Sequence, residues 1–151
     1  MILRVLIAAF VAAPLILTAP ALGQGLGSGE GPVDISADDF EAFDAQGMGV
    51  YTGDVNVVRG DVRLRSDRLE AYYVRRGGGS PELNRIVAEG DVYYITPNEI
   101  ARGDRGTYDL VSEVIELTGS VVLTQGCNVS TGEHLHAELA NGVARLEGGP
   151  N

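Results

Sequence analysis

Four glycines recur along this chain at a nearly constant spacing, each at the centre of a short apolar stretch. They alternate with four acidic residues, and the two series are Gly53, Gly90, Gly119 and Gly148, and Asp38, Asp67, Asp104 and Glu133. An acidic residue follows the preceding glycine by 14 positions each time (53 to 67, 90 to 104 and 119 to 133). Two series with a constant offset indicate an internal repeat.

The step from an acidic residue to the next glycine is 15 positions in three cases (38 to 53, 104 to 119 and 133 to 148). The exception is the step from Asp67 to Gly90, which is 23 positions long, 8 more than the others. This step contains Arg75 to Glu82, whose glycine, serine and proline residues predict an inserted loop. Without that loop, a unit of 29 residues (14 and 15) runs nearly four times. Units of this length stack, because one alone cannot bury its apolar face.

Apolar and polar residues alternate with a period of two on both sides of the glycines. Around Gly90, for example, Ala88 and Val92 lie at even offsets, whereas Glu89 and Asp91 lie at odd offsets. This period is that of a β-strand with one apolar and one solvated face. The inward face predicted in this way includes Val55, Val57, Leu69, Ala88, Val92, Tyr94, Leu117, Val121, Leu123 and Leu135.

The alternation predicts an all-β protein, since no stretch between residues 32 and 148 has a helical period over a useful length. Upstream of the acidic residues the alternation slips, which we interpret as a β-bulge or corner. The glycines at the centres of the repeat fit the same idea, since glycine permits a sharp turn or a close approach of the backbone. Four residues break the pattern and are expected to leave some apolar area outside, namely Val50, Val87, Tyr93 and Val122. Asn141 and Gly142 are a strong signal for a two-residue hairpin loop. Such strands form either a packed sandwich or an open trough.

The N-terminal segment has the layout of a secretory signal peptide. A short positive start, Met1 to Arg4, precedes an apolar run from Val5 to Leu17 that ends in small residues. We expect residues 1–23 to be a signal peptide that is cleaved, residues 24–31 to be a flexible lead-in, and residues 32–148 to form one folded domain. If the apolar run were not cleaved, it would act as a membrane anchor.

Charge excludes one class of partner. The sequence has 21 acidic residues and 11 basic residues, all of them arginine, and removal of the signal peptide takes away only Arg4. The remaining ten arginines and 21 carboxylates give a net charge of −11. A surface of this sign repels phosphate backbones, so we expect no nucleic acid to be bound.

Six of those ten arginines fall within residues 59–76. One hypothesis is that they offset repulsion near the phosphate groups of a ligand. The other interpretation is a solvated outer face. It is favoured because Arg68 lies one position after Asp67, an odd offset, and we call the odd offsets outward parity and the even offsets inward parity.

Catalytic and metal-binding signals are weak in this sequence. Cys127 is the only cysteine, and His134 and His136 place two rings on one strand face. These histidines have outward parity, and their spacing matches no familiar zinc pattern. The carboxylates are spread along the outer faces instead of converging as acid and base groups do. The sequence therefore predicts no enzyme, no cofactor and no metal site.

Several short motifs occur in a characteristic order. They are Ile-Ser-Ala-Asp (Ile35 to Asp38), a repeated Tyr/Leu-Thr-Gly-x-Val (Tyr51 to Val55 and Leu117 to Val121), Gly-Asp-Val (Gly90 to Val92) and Gly-Asp-Arg-Gly-Thr-Tyr-Asp (Gly103 to Asp109). Together they resemble the LptA-like, or organic-solvent-tolerance (OstA-like), family of periplasmic lipopolysaccharide transport proteins. The similarity runs from about Val33 to Leu146, and it is carried by the order and spacing of the motifs.

The resemblance implies an open, twisted β-jelly-roll, a solenoid-like stack of antiparallel strands, whose slot holds the acyl chains of lipid A. The ten inward residues given above are then the candidate lipid-binding residues. The resemblance also implies a periplasmic bridge that carries lipopolysaccharide from the inner to the outer membrane. Its partners would be an LptC-like inner-membrane protein and an LptD-like outer-membrane protein, both joined by edge-strand pairing, with head-to-tail self-association as a further contact.

Two alternatives stay open at this point. The chain would be a β-solenoid-like interaction scaffold, binding only protein, if its core were solid. It would instead resemble the membrane-anchored LptC-like partner if the apolar run from Val5 to Leu17 were retained.

Overall fold

Residues 31–148, which the computed structural model describes, form nine β-strands and one turn of 3-10 helix at Asp44–Gln46. The predicted all-β class is therefore confirmed, whereas the predicted signal peptide lies outside the described residues. The strands are β1 (Asp34–Ser36), β2 (Asp39–Phe43), β3 (Met48–Arg59), β4 (Val62–Val74), β5 (Glu82–Ile95), β6 (Glu99–Asp109), β7 (Val114–Gln125), β8 (Asn128–Glu138) and β9 (Val143–Glu147).

All nine strands belong to one antiparallel sheet with the order β1-β3-β4-β5-β6-β7-β8-β9. The short strands β1 and β2 both pair with β3, β2 along its first part and β1 along its last part. From β2 to β9, each strand thus pairs with the next strand along the chain. The first and last strands do not pair with each other, so the described sheet is open, as predicted.

Three of the four glycines of the repeat lie at β-bulges. Gly53, Gly90 and Gly119 have φ angles of 80° to 82°, and the residue after each of them also has a positive φ. The strand register shifts at these points, between residues 52 and 55, 89 and 92, and 118 and 121. A bulge bends its strand and increases the local twist. Because the bulges lie at corresponding positions in β3, β5 and β7, they form one line across the sheet.

The acidic residues of the repeat lie against these bulges. A Cβ atom added to Gly53, Gly90 or Gly119 would approach an aspartate Oδ2 atom to 2.5 Å. The aspartates concerned are Asp38, Asp67 and Asp104. At the fourth repeat a Cβ on Gly148 would lie 2.9 Å from Cβ of Glu133. The glycines and the acidic residues of the repeat therefore contact each other in pairs, and the space beside each acidic residue is large enough only for glycine.

The line of bulges divides the sheet into two parts. The first half-sheet contains residues 39–43, 48–52, 68–74, 82–89, 105–109, 114–118, 134–138 and 143–147, and the second contains residues 34–36, 55–59, 62–66, 92–95, 99–103, 121–125 and 128–132. Arg59 on β3 donates a hydrogen bond of 2.8 Å to the hydroxyl of Tyr108 on β6. Three strand spacings would separate these strands by about 14 Å in a flat sheet. The half-sheets therefore fold toward each other, and the core lies between their inner faces.

The outer face holds two valines that are buried against expectation. Val50 and Val87 are only 7% and 5% exposed, although they do not belong to the main core. The register places Glu70 between them. Glu70 accepts hydrogen bonds of 2.6 Å from Arg68 and from Tyr72, which hold its side chain on this face. The prediction that these valines leave apolar area outside was wrong, because long polar side chains surround them.

Two connections differ in how well the sequence predicted them. The insertion predicted at Arg75 to Glu82 is a loop of residues 75–81 between β4 and β5, in agreement with the prediction. The predicted two-residue hairpin at Asn141 and Gly142 is wrong, because Glu138 pairs with Val143 and leaves a loop of residues 139–142.

Within residues 31–148, no helix is both long enough and apolar enough to cross a bilayer.

Candidate functional site

The ten residues predicted to face inward come together in one cluster. All of them are between 0% and 7% exposed, and both half-sheets contribute. Leu69, Ala88, Leu117 and Leu135 belong to the first half-sheet, and the others belong to the second. We call the space between the half-sheets the slot. Its wall is apolar along the whole line from β3 to β8, and in this structure the two sides pack against each other.

The slot opens at the end nearest β1. A cavity of about 450 Å³ lies there, and its wall consists mainly of partly buried apolar side chains that pack against the core. Arg59 and Glu82 are its charged residues, and its apolar lining is Val33, Ile35, Tyr51, Tyr73, Leu83 and Leu110. Tyr51 lies two positions before Gly53, an even offset that predicts the inner face, whereas the other five were not among the predicted inward residues. Two of the five did carry the signal for the inner face, since Tyr73 and Leu110 each lie six positions, an even offset, after an acidic residue of the repeat.

A second cavity of about 290 Å³ adjoins the first and shares Tyr73 and Pro81 with it. It lies beside β2, where Phe40 packs on Tyr51 with ring centroids 4.6 Å apart. Phe40 is nevertheless 56% exposed. The apolar surface of the slot thus continues to the edge of the sheet instead of ending inside the protein.

Tyrosine hydroxyls provide polar groups along the slot. Tyr51 and Tyr73 share a hydrogen bond of 3.4 Å at the open end, and burial raises the pKa of Tyr73. Burial also raises the pKa of Tyr108, an effect that the positive charge and hydrogen bond of Arg59 partly oppose. Both phenols therefore stay neutral near pH 7 and act as hydrogen-bond donors and acceptors.

Both edges of the sheet have unpaired backbone. Strand β9 pairs only with residues 134–138 of β8, so residues 128–132 have a partner strand on one side only within the described part of the chain. Val129 in this segment is 63% exposed. At the other edge, all five residues of β2 are exposed. Unpaired strand edges of this kind are templates for a strand of another chain.

The histidines lie on the outer face, as predicted. His136 Nδ1 is 3.3 Å from Oε1 of Glu116, and His134 Nε2 is 3.9 Å from the same oxygen. Cys127 is exposed, in the connection between β7 and β8. Among residues 31–148, no group of three or more histidine, cysteine or acidic side chains is arranged to hold a metal ion.

The arginine cluster faces outward. Arg63 and Arg65 are exposed. Arg68 pairs with Glu70 at 2.6 Å and with Glu89 at 3.6 Å. Arg59 is the exception, since it contacts Tyr108 across the slot.

Relatives share both the sequence and the shape of this protein. An uncharacterized protein of Rhizobium meliloti (strain 1021) is 32% identical over 130 residues, which cover 82% of this chain and 70% of the relative. LPS-assembly protein LptD of Escherichia coli (strain K12) is 32% identical over 108 residues, 69% of this chain. These residues make up only 14% of LptD.

A solved structure has the same fold. LptH of Pseudomonas aeruginosa, described as the LptA homologous periplasmic component of the lipopolysaccharide transport device, superposes with a TM-score of 0.68. The match covers 78% of this chain and 83% of LptH at 22% sequence identity. This likeness shows that the fold is an LptA-like β-jelly-roll.

The family model "LptA/(LptD N-terminal domain) LPS transport protein" matches residues 34–143. This range begins at the first residue of β1 and ends at the first residue of β9. The match therefore includes both half-sheets and all ten predicted inward residues. This chain belongs to the LptA/LptD N-terminal domain family of lipopolysaccharide transport proteins.

Proposed function

We propose that this protein carries lipopolysaccharide across the periplasm, with the acyl chains of lipid A in the slot between the half-sheets. Family membership gives the chain a role in lipopolysaccharide transport. The observation that carries the finer proposal is the apolar slot, whose wall continues to the exposed ring of Phe40 at one edge of the sheet. The ten inward residues are the proposed lipid-binding residues.

The energetics suit an anionic ligand on an acidic protein. Burial of one methylene group is worth about 0.8 kcal/mol, so a chain of a dozen carbons gains roughly 10 kcal/mol before costs. An exposed ion pair contributes about 0–1 kcal/mol. Apolar burial therefore outweighs charge repulsion, provided that the phosphate groups stay near the mouth of the slot.

Lipid entry requires the half-sheets to separate. The inward residues are nearly inaccessible in this structure, so acyl chains must replace contacts between the two inner faces. The line of bulges is the natural axis for that movement, because the backbone there is already bent away from regular strand geometry. The rest of each half-sheet then moves as a unit with its hydrogen bonds intact.

Edge pairing is the proposed mode of assembly. One edge would pair with an LptC-like protein of the inner membrane and the other with an LptD-like protein of the outer membrane. Head-to-tail pairing of copies would lengthen the bridge, because an asymmetric interface of this kind extends instead of closing. We propose that residues 1–23 direct export and are removed, which N-terminal sequencing of the mature protein tests.

Native mass spectrometry tests the lipid proposal. Protein purified gently from a host with an outer membrane should carry bound lipopolysaccharide or lipid A. A spectrum of lipid-free protein only, under conditions that keep lipid on a known carrier, would contradict it. The second candidate, a scaffold that binds only protein, is favoured by the tight packing of the ten inward residues and predicts this lipid-free spectrum.

A further inference from the structure

Two buried hydroxyl groups, those of Ser66 and Tyr94, have no hydrogen-bond partner among residues 31–148, and Tyr94 is the more deeply buried of the two. Tyr94 is 2% exposed, and its hydroxyl makes no hydrogen bond with any of residues 31–148. Burial raises the pKa of this phenol, and Tyr108 and Glu99 raise it further, so the group is a neutral hydroxyl. A buried hydroxyl without a partner destabilises a folded protein, and phenylalanine would fill the same space without that cost. The hydroxyl of Tyr94 therefore has the features of a group that serves a ligand.

Two further polar groups lie on the walls of the same slot: Tyr108, which acts electrostatically on Tyr94, and Arg59, which is bonded to Tyr108. Tyr108, which is 5% exposed, accepts the hydrogen bond of 2.8 Å from Arg59, so its own hydrogen remains available for donation. Arg59 is half-buried, has the inward parity of Val55 and Val57, and lines the cavity at the open end of the slot. A cation thus lies at the open end of the slot, and two neutral hydroxyl groups lie in the buried wall behind it.

We propose that Arg59, Tyr94 and Tyr108 form a subsite for a phosphate group of the acylated ligand. The inference rests on the proposed function and assigns the position of the head group. A guanidinium pairs well with phosphate oxygens, and two phenols supply hydrogen bonds without adding charge. Because a phosphate competes for the same Arg59 donors that bridge the half-sheets, its arrival loosens that bridge. Head-group binding and slot opening are then coupled.

Two carboxylates near the subsite limit which anion it accepts. Glu99 acts electrostatically on Tyr94, but its Oε1 accepts a hydrogen bond of 2.6 Å from Gln125. Gln125 is on β7, the side of β6 away from β3 and Arg59. Glu82 lines the cavity together with Arg59. Free phosphate is therefore expected to bind poorly, whereas a phosphate attached to buried acyl chains is held in place.

The test compares two probes on purified, delipidated protein: diphosphorylated lipid A and the same lipid with both phosphates removed. Wild type should bind the phosphorylated form about tenfold more tightly, which is the gain expected from one good charged contact. Arg59→Gln should reduce that preference to about twofold or less. Arg63→Gln makes the same charge change on the outer face and should leave the preference unchanged. Millimolar inorganic phosphate should not displace either lipid.

Tyr94→Phe gives an independent readout. It should weaken binding of the phosphorylated lipid about fivefold and at the same time raise the melting temperature of the lipid-free protein by about 2 °C or more. A lower melting temperature would mean that the hydroxyl supports the fold, and would overturn the subsite. Equal binding of both lipids to wild type would also overturn it while leaving the proposed function intact. Failure of both lipids to bind would instead remove the proposed function itself.

Discussion

Gly90 and Asp67 lie in direct contact across neighbouring strands, so that a single added Cβ atom at position 90 would come within 2.5 Å of Oδ2 of Asp67. Gly90 also has a φ of 80°. Gly90→Ala should therefore destabilise the protein by about 3 kcal/mol through backbone strain and steric overlap. Urea denaturation measures this change.

Gly77→Ala is the matched control, since Gly77 has a φ of 59° and no atom within 4 Å of the added Cβ. This substitution introduces the backbone strain without the steric overlap, so it should lower the free energy of unfolding by about 1 kcal/mol. Equal losses at the two positions would show that the contact with Asp67 adds nothing.

Val92 lies in the buried wall of the slot and is 0% exposed. Val92→Thr keeps the shape but places a hydroxyl against the acyl chains, so lipid binding should weaken at least about tenfold, and stability should fall by roughly 1–3 kcal/mol. Binding is measured by displacement of a fluorescent fatty acid. Val122→Thr, on the half-buried outer face, should leave binding unchanged.

Glu70 should make stability depend on pH. The hydrogen bond from Tyr72, followed by that from Arg68, lowers the pKa of Glu70 below its ordinary value of 4.5. Because the folded state has the lower pKa, this contribution is fully present above the unfolded pKa and is lost as the pH falls through the folded pKa. Glu70→Gln should thus cost about 1 kcal/mol at pH 7, and progressively less as the pH falls below 4.5 and the carboxylate of the wild type becomes protonated.

Thermal unfolding of wild type and variant across this pH range measures the effect. Glu41→Gln serves as the control, because Glu41 is exposed on the edge strand β2 and lies opposite the same Val50. A Glu70→Gln penalty that stays constant from pH 7 to pH 2 would contradict the assignment.

The proposed pairing of strand edges can be tested at Val129. Val129→Lys puts a charge on the unpaired segment of β8, which discourages addition of another strand. Self-association, followed by light scattering over a range of concentrations, should weaken while the melting temperature stays within about 2 °C of wild type. Val111→Lys is the control, since Val111 is 64% exposed, against 63% for Val129, but lies in the turn after β6. If the Val129→Lys and Val111→Lys variants self-associate equally, the edge at β8 is not the site of self-association.

Much of the interior could be predicted because strand parity is local. The alternation around Gly90 assigned Ala88, Val92 and Tyr94 to the inner face, and all three are buried. The same rule did not identify Arg59, although it has the parity of Val57, because a charged residue was not expected on an apolar wall. Its partner Tyr108 is 49 positions away, a distance that no local pattern covers.

Other features depended on packing between strands. Val50 and Val87 are buried on the outer face because Glu70 lies between them and is held there by its neighbours, an arrangement that follows from register and not from composition. The loop at residues 139–142 is longer than the Asn-Gly signal suggested, because the pairing of β8 and β9 ends at Glu138 and Val143. The cavity at the open end combines residues of β1, β3, β4, β5 and the connections beside them.

The contact between a glycine and an acidic residue in each repeat affects how a protein of this fold can gain further repeat units. Each unit of the repeat contains its own bend, so duplication of a unit copies the bend together with the two strands that it divides. Two more strands widen a sheet by about 10 Å. A longer sheet therefore needs no new type of contact, and the length of the slot can change in whole units while its cross-section stays the same.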